Sequence, residues 1–247
     1  MSIRRFYMPP EMAAHPVPRI TGSDAGHIFR VLRLSPGDTV ELVDGAGTGY
    51  RARILSVSAK AVEVVIEADF PLMTESPVHI TLAMGMLKDR KADELIPPLT
   101  ELGINRIMPF YAKRSISAPK DSTFSSRMAR WEKIAVEAVK QCRRGTIPQI
   151  SPMDDLCAVL AASAECDLKL VFWEAASTEN RFTVPEGPPP ERILVVVGPE
   201  GGFDPTEMTQ ARDHGCRVAS LGPRILKART AVLVACALVQ HQFGDLR

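Results

Sequence analysis

Gly198-Pro199-Glu200-Gly201-Gly202 puts three glycines and one carboxylate into a single short turn. Glycines there let a ligand come close to the backbone, since no Cβ stands in the way and φ > 0 costs nothing. Glu200 admits two roles: a proton acceptor at that ligand, or a carboxylate stabilised at the positive end of a following helix. A second sharp turn, Gly222-Pro223, opens the loop Arg224 to Arg229 that feeds the last helix. Neither turn matches G-x-G-x-x-G or a Walker A loop, so those two ways of cradling phosphates are unsupported. Two ordinary βα turns remain the plain alternative.

The flanking residues say what must hold these turns. Ile193 to Val197 is a continuous apolar run rich in β-branched side chains, the pattern of a strand buried on both faces in a parallel sheet. After the turn, Asp204 can cap a helix, Pro205 suits its first position, Glu207 completes a capping box and Gly215 can end it. Arg217 to Leu221 reads as a further short strand before the second turn. Open α/β sheets bind ligands beyond the carboxyl ends of their strands, so the two turns imply one shared pocket.

GPEGGF followed by SLGPRIL, with a closing helix that ends in FGDLR, resembles the bacterial 16S ribosomal RNA uracil-N3 methyltransferases of the SPOUT superfamily. The resemblance implies an S-adenosylmethionine pocket inside a deep trefoil knot, a topology that general folding rules would not suggest. It assigns the cofactor to Val197, Gly198, Pro199, Gly201, Gly202, Leu221, Gly222, Ile225 and Leu226, closed by Thr230 and Ala231. Methylating N3 of uracil requires the imide proton to leave, and positive side chains near the uracil oxygens would stabilise the anion. Arg144 and Arg114 are the candidates for that task, with Glu200 as the candidate base. A homodimer and 16S ribosomal RNA within the small subunit as substrate complete what the resemblance implies; the spacing of the histidines separately leads to the expectation of no metal. A related methyltransferase with another RNA target, or a non-catalytic RNA-binding relative, stays open.

Two departures from the family pattern stand out. Pro97-Pro98 occupies the place where relatives carry a lysine before Glu101-Leu102-Gly103, and two adjacent prolines should kink or break a helix. Arg229 stands where relatives carry an acidic residue.

Upstream, Ser23-Asp24 can cap a short helix through Leu32, and Thr39 to Val43, Tyr50 to Val57 and Ala61 to Ala68 read as strands separated by glycine turns. Short strands at this spacing suggest a small β-barrel. His27, Val31-Leu32-Arg33, Gly37-Asp38, Asp44-Gly45 and Tyr50-Arg51 resemble the family's PUA-like RNA-binding barrel. Arg5, Arg30, Arg33, Lys88 and Arg90 are the candidate RNA contacts, although each could simply solvate the surface.

The expected architecture is therefore α/β: a PUA-like barrel over 1–72, then a SPOUT knotted domain over 73–247 with a mostly parallel sheet. Asp69 to Pro77 is the expected linker. Val78 to Ala83, Arg106 to Phe110 and Leu168 to Trp173 are further expected strands, and Pro109 weakens the second of these. Ser126 to Cys142 is an amphipathic helix with Met128, Trp131, Ala135, Ala138 and Cys142 on one face. Its continuation through Arg144 and Pro148 also matches the family.

A net charge of +1 over 247 residues excludes a globally basic nucleic-acid binder, so RNA contact must come from local patches. Five cysteines without a C-x-x-C pair read as reduced thiols, and five scattered histidines lack ligand spacing. The arginines near the N-terminus have no apolar run behind them, and Ala231 to Val239 falls short of the ~20 residues of a membrane span. A cytoplasmic protein is the expectation.

Overall fold

The computed structural model describes residues 4–88, 91–115, 121–176, 182–183 and 187–246. They fall into two compact units, one of 1–75 with 136–147, the other of 76–135 with 148–247.

The first unit is built on a five-stranded sheet of β1 (Arg5–Tyr7), β2 (Arg19–Thr21), β3 (Thr39–Val43), β4 (Thr48–Val57) and β5 (Ala61–Pro71). Its order is β1-β3-β4-β5-β2, antiparallel apart from β1 beside β3. Among the described residues the sheet is a half-barrel with β1 and β2 as its edges, so the expected barrel is open in its hydrogen bonding. Two register shifts in β4, at Arg51/Ala52 and Ile54/Ser56, bend the long hairpin. Alternating side chains such as Val40, Leu42, Ala52, Ile54, Val62 and Val64 are fully buried and form its core with Phe6, Ile20 and Ile28. Asp44 shapes the β3–β4 turn by accepting from the amides of Ala46 at 2.8 Å and Thr48 at 3.0 Å. Helix α1 (Gly22–His27) starts at Thr21 without a side-chain cap and runs into a π-helical turn, Ile28–Leu32. Asp24, expected as a cap, instead pairs with Lys140 at 2.8 Å.

The second unit holds a six-stranded, wholly parallel sheet. Its elements in chain order are β6 (His79–Gly85), α2 (Ile96–Glu101), β7 (Arg106–Phe110), α3 (Asp121–Cys142), β8 (Gln149–Ile150), α4 (Leu156–Ala162), β9 (Leu168–Phe172), β10 (Arg192–Val197), α5 (Pro205–Asp213), β11 (Arg217–Ala219) and α6 (Ala228–Phe243). The order is β11-β9-β10-β6-β7-β8. Central β10 pairs with β6 and β9, which is why Ile193 to Val197 is apolar at every position and buried throughout.

Three expectations change here for physical reasons. Pro97 and Pro98 do not break a helix: they sit in the first turn of α2, where amide hydrogens have no partner to lose. Pro109 lies inside β7, opposite Met84. Its carbonyl accepts from Met153, on the side where β8 has already ended at Ile150, so its missing N–H removes no ladder bond. The expected single boundary at residue 72 omits a second crossing, because the chain leaves the second unit after Ala135 and returns at Pro148, both crossings flanking one stretch of α3 and its exit loop.

Candidate functional site: a cleft at the carboxyl ends of β9, β10 and β11

The Gly198–Gly202 turn is fixed from both ends. Behind it, a Cβ on Gly85 would lie 2.4 Å from the amide nitrogen of Pro199, so the end of β6 accepts the turn only as glycine. Ahead of it, Asp204 accepts from Thr206 at 3.0 Å while Glu207 returns a bond to the amide of Asp204 at 2.9 Å, the capping box expected for α5. The other oxygen of buried Glu207 accepts from the amide of Lys113 at 3.0 Å, and Lys113 Nζ donates to Thr206 at 2.6 Å. Those bonds tie the segment carrying Arg114 to the start of α5. A Cβ on Gly201 would meet the backbone oxygen of Arg114 at 2.7 Å, so the glycine is required by this neighbouring segment as well as by any ligand.

Between this turn and the Ser220–Arg229 loop lies a cleft of about 660 Å³. Ten of the eleven residues expected to hold a cofactor line it: Val197, Gly198, Pro199, Gly201, Gly202, Leu221, Gly222, Ile225, Leu226 and Ala231. Thr230 does not; it sits exposed in the first turn of α6. Ile225 is 83% exposed at the cleft, an apolar surface open to a flat hydrophobic ligand group. The amides of Leu221, Ile225 and Leu226 make no hydrogen bond with the described residues, whereas that of Gly222 is held by Ser220 Oγ at 3.2 Å. Apolar wall, free amides and volume together fit a small heterocyclic ligand read through backbone groups.

Residues not anticipated also line the cleft, among them Lys91, Trp173, Glu174, Arg224 and Lys227. The carboxylate of Glu174 lies over Gly202, where a Cβ would come within 2.0 Å of its Oε1. The signal was present: Trp173-Glu174 follows β9, whose carboxyl end opens at the same edge as β10. Arg229 pairs with Glu94 at 2.7 Å, so a positive side chain at that position has an acidic partner on the turn before α2.

The three candidate catalytic residues are placed differently. Glu200 accepts from Lys91 Nζ at 3.2 Å and from the amide of Lys88 at 3.4 Å. Burial raises its pKa, but hydrogen bonds from its own backbone, Lys91 and Lys88 outweigh that, and the net shift is downward from the usual carboxylate value. Such a carboxylate is a weak base and a good tether. Arg114 sits half-exposed beside the turn, 3.6 Å from Asp204. Arg144 is buried in the first unit, where its Nε and Nη2 donate to Glu75 Oε2 at 2.9 and 2.8 Å. The other oxygen of Glu75 accepts from the amides of Gly145 and Thr146 at 3.2 and 3.1 Å. Arg144 is therefore paired with Glu75 inside the first unit and is not among the residues that line the cleft.

Of the candidate RNA contacts, Arg5 pairs with Glu41 and is largely buried, whereas Arg30, Arg33 and Lys88 are exposed. Arg90 lies outside the described residues. No group of histidine, cysteine and carboxylate side chains that could hold a metal occurs among the described residues, and none of their helices is long and apolar enough to cross a membrane.

Residues 74–240 match the RNA methyltransferase domain family, and residues 20–67 match the RNA methyltransferase PUA domain. The chain belongs to the RNA methyltransferase family. Among relatives of this methyltransferase, the ribosomal RNA small subunit methyltransferase E of Bacillus subtilis is 30% identical, over 92% of this chain and 91% of its own. The Neisseria gonorrhoeae protein of the same name, solved bound to S-adenosyl methionine, superposes over the whole of both chains with TM-score 0.85 and 29% identity. A Legionella pneumophila methyltransferase solved with bound SAM does so with TM-score 0.89 and 29% identity.

Proposed function

We propose that this methyltransferase uses S-adenosylmethionine to methylate N3 of a specific uridine of 16S ribosomal RNA in the small ribosomal subunit. The observation that carries the reading is the cleft itself: free amides at Leu221, Ile225 and Leu226 beside the glycine turn, in a chain that spans the small-subunit methyltransferase E of Neisseria from end to end. S-adenosylmethionine supplies an electrophilic methyl group. The chain's residues do the rest by position and charge. The amides of Leu221, Ile225 and Leu226 would hold the cofactor's adenine, and the exposed Ile225 would supply an apolar surface for it. Glu174, over Gly202, is placed to accept from hydroxyl or ammonium donors of the cofactor. Arg114, tethered through Lys113 to α5, provides the positive charge that favours the N3-deprotonated base. Glu200 holds Lys91 at the cleft rim and accepts from the amide of Lys88.

The proposal includes the SPOUT trefoil knot, supported by the all-parallel order and by successive strand ends converging on one cleft. It also includes a homodimer and cytoplasmic location, supported by the resemblance of the GPEGGF and SLGPRIL turns to enzymes that pair. A different RNA target is the second reading, favoured by Pro97-Pro98 and by Arg229, whose charge is reversed from the family pattern and answered by Glu94. The test is transfer of label from S-adenosylmethionine to small subunits that lack the modification. Label in 16S RNA supports the proposal; label absent from the subunits but present in the total RNA of the same cells, assayed in parallel, selects the second reading.

A further inference from the structure

A second cavity, of about 820 Å³, lies wholly within the first unit and shares no lining residue with the cofactor cleft. Its walls come from β1, from α1 with the π-helical turn, and from the last turns of α3, which belong to this unit. Five basic side chains face it: Arg4, Arg5, His27, Lys140 and Arg143. Against them stand Asp24, Glu41 and Glu137.

The pairing inside the cavity is unequal. Glu41 is taken by Arg5. Asp24 and Glu137 are both taken by Lys140, at 2.8 and 2.7 Å. All three acids are thereby spent on two cations. Arg4 and Arg143 have no ion-pair partner among the described residues, and both are exposed. The cavity therefore presents uncompensated positive charge on a wall held by partly buried ion pairs, the arrangement that suits a phosphate. Phe6 and Leu32 contribute apolar lining beside it. The volume falls within the ~300–1,000 Å³ typical of sites for small organic groups.

The backbone supplies an independent sign. Arg143 follows the end of α3 at φ 65°, in the left-handed region that glycine adopts freely and other residues adopt at a cost. A helix end of this kind is ordinarily finished by glycine. Here an arginine stands in its place, and its side chain faces the cavity. Strain retained at one position directs attention to what the side chain does there.

We propose that this cavity is a binding site for one nucleotide of the RNA substrate, with Arg143 and Arg4 contacting its phosphate. The site deepens the RNA-methyltransferase reading and rests on it for the identity of the partner. It anchors RNA at a place distinct from the methyl-transfer cleft.

Arg143→Gly gives the test its leverage, because relief of the left-handed backbone should leave thermal stability equal or higher while removing the cation. The probe is the unmodified small ribosomal subunit, titrated against the full-length protein over a salt series, with S-adenosylmethionine affinity measured alongside. The variant is expected to bind the subunit about ten-fold more weakly, with the log–log salt slope reduced by about 1, and to keep its cofactor affinity. Arg4→Ala should act in the same direction, while Lys60→Ala, an exposed cation at the β4–β5 turn, should change little. Unchanged affinity and slope in Arg143→Gly, with wild type active, would overturn the site. A wild-type protein that binds subunits through Arg143 yet transfers no methyl group would instead sink the methyltransferase reading and leave the site standing.

Discussion

Replacing Arg144 by alanine separates a structural role from a catalytic one. The guanidinium is 4% exposed and makes two bonds to one oxygen of Glu75, whose other oxygen holds the amides of Gly145 and Thr146. Removing one partner of a buried ion pair costs about 3–5 kcal/mol, because the remaining charge loses its compensation. Glu75 is 25% exposed and keeps its two amide bonds, so the lower end applies, about 3 kcal/mol. That corresponds to roughly a 100-fold rise in the opening of the first unit. Amide hydrogen exchange reads this directly: protection at Leu42 and Ile54, in the core of that unit, should fall about 100-fold, while Val195 and Val196 in β10 change far less. Adding Glu75→Gln should recover part of the loss by removing the stranded charge. If Arg144→Ala left exchange within about three-fold of wild type and still abolished methyl transfer, the clamp account would be wrong and Arg144 would have to act on the RNA.

Other consequences follow from the cleft and the thiols. Gly202→Ala places a Cβ at φ 68° and 2.0 Å from Glu174 Oε1, a backbone cost of about 1–2 kcal/mol plus a displaced carboxylate, and calorimetry should record at least a ten-fold weaker S-adenosylmethionine affinity. An unaltered affinity would remove Glu174 and this turn from the ligand's wall. Glu200, with its pKa held below the usual 4.5, remains ionised at neutral pH; its stabilising contribution is present above that value and is lost on acidification through the lower folded one. Glu200→Gln should accordingly lower the transfer rate less than about ten-fold without moving the pH profile above pH 5, whereas a thousand-fold loss would restore it as the base. Burial pushes the Cys216 thiol up to about 11 and raises Cys236 further. A thiol reagent at pH 8 should therefore modify exposed Cys157 first and reach Cys216 and Cys236 only after denaturation, and prompt labelling of Cys236 would contradict the packing of α6.

What could be read in advance was local and chemical. The run Ile193 to Val197 has no polar position, which only a doubly covered strand requires, and Asp204-Pro205 with Glu207 carries its helix start in side-chain chemistry. Pro97-Pro98 and Pro109 misled because a proline's effect depends on which neighbour its nitrogen faces, and that is a tertiary fact. The division of α3 between two units left no trace, since one amphipathic stripe runs through Ala135 and Val136 without interruption. The pairing of Arg144 with Glu75 was not legible, because the two residues lie far apart in sequence. Trp173-Glu174 was legible and overlooked: the rule that located the two glycine turns applies equally to the end of β9.

The most direct test of the central claim is the chemical identity of the product. Small subunits lacking the modification are incubated with the protein and labelled S-adenosylmethionine, and the RNA is digested to nucleosides for mass spectrometry. The account predicts 3-methyluridine at a single site of 16S RNA. Label in any other nucleoside, or none despite measurable cofactor binding, would contradict it.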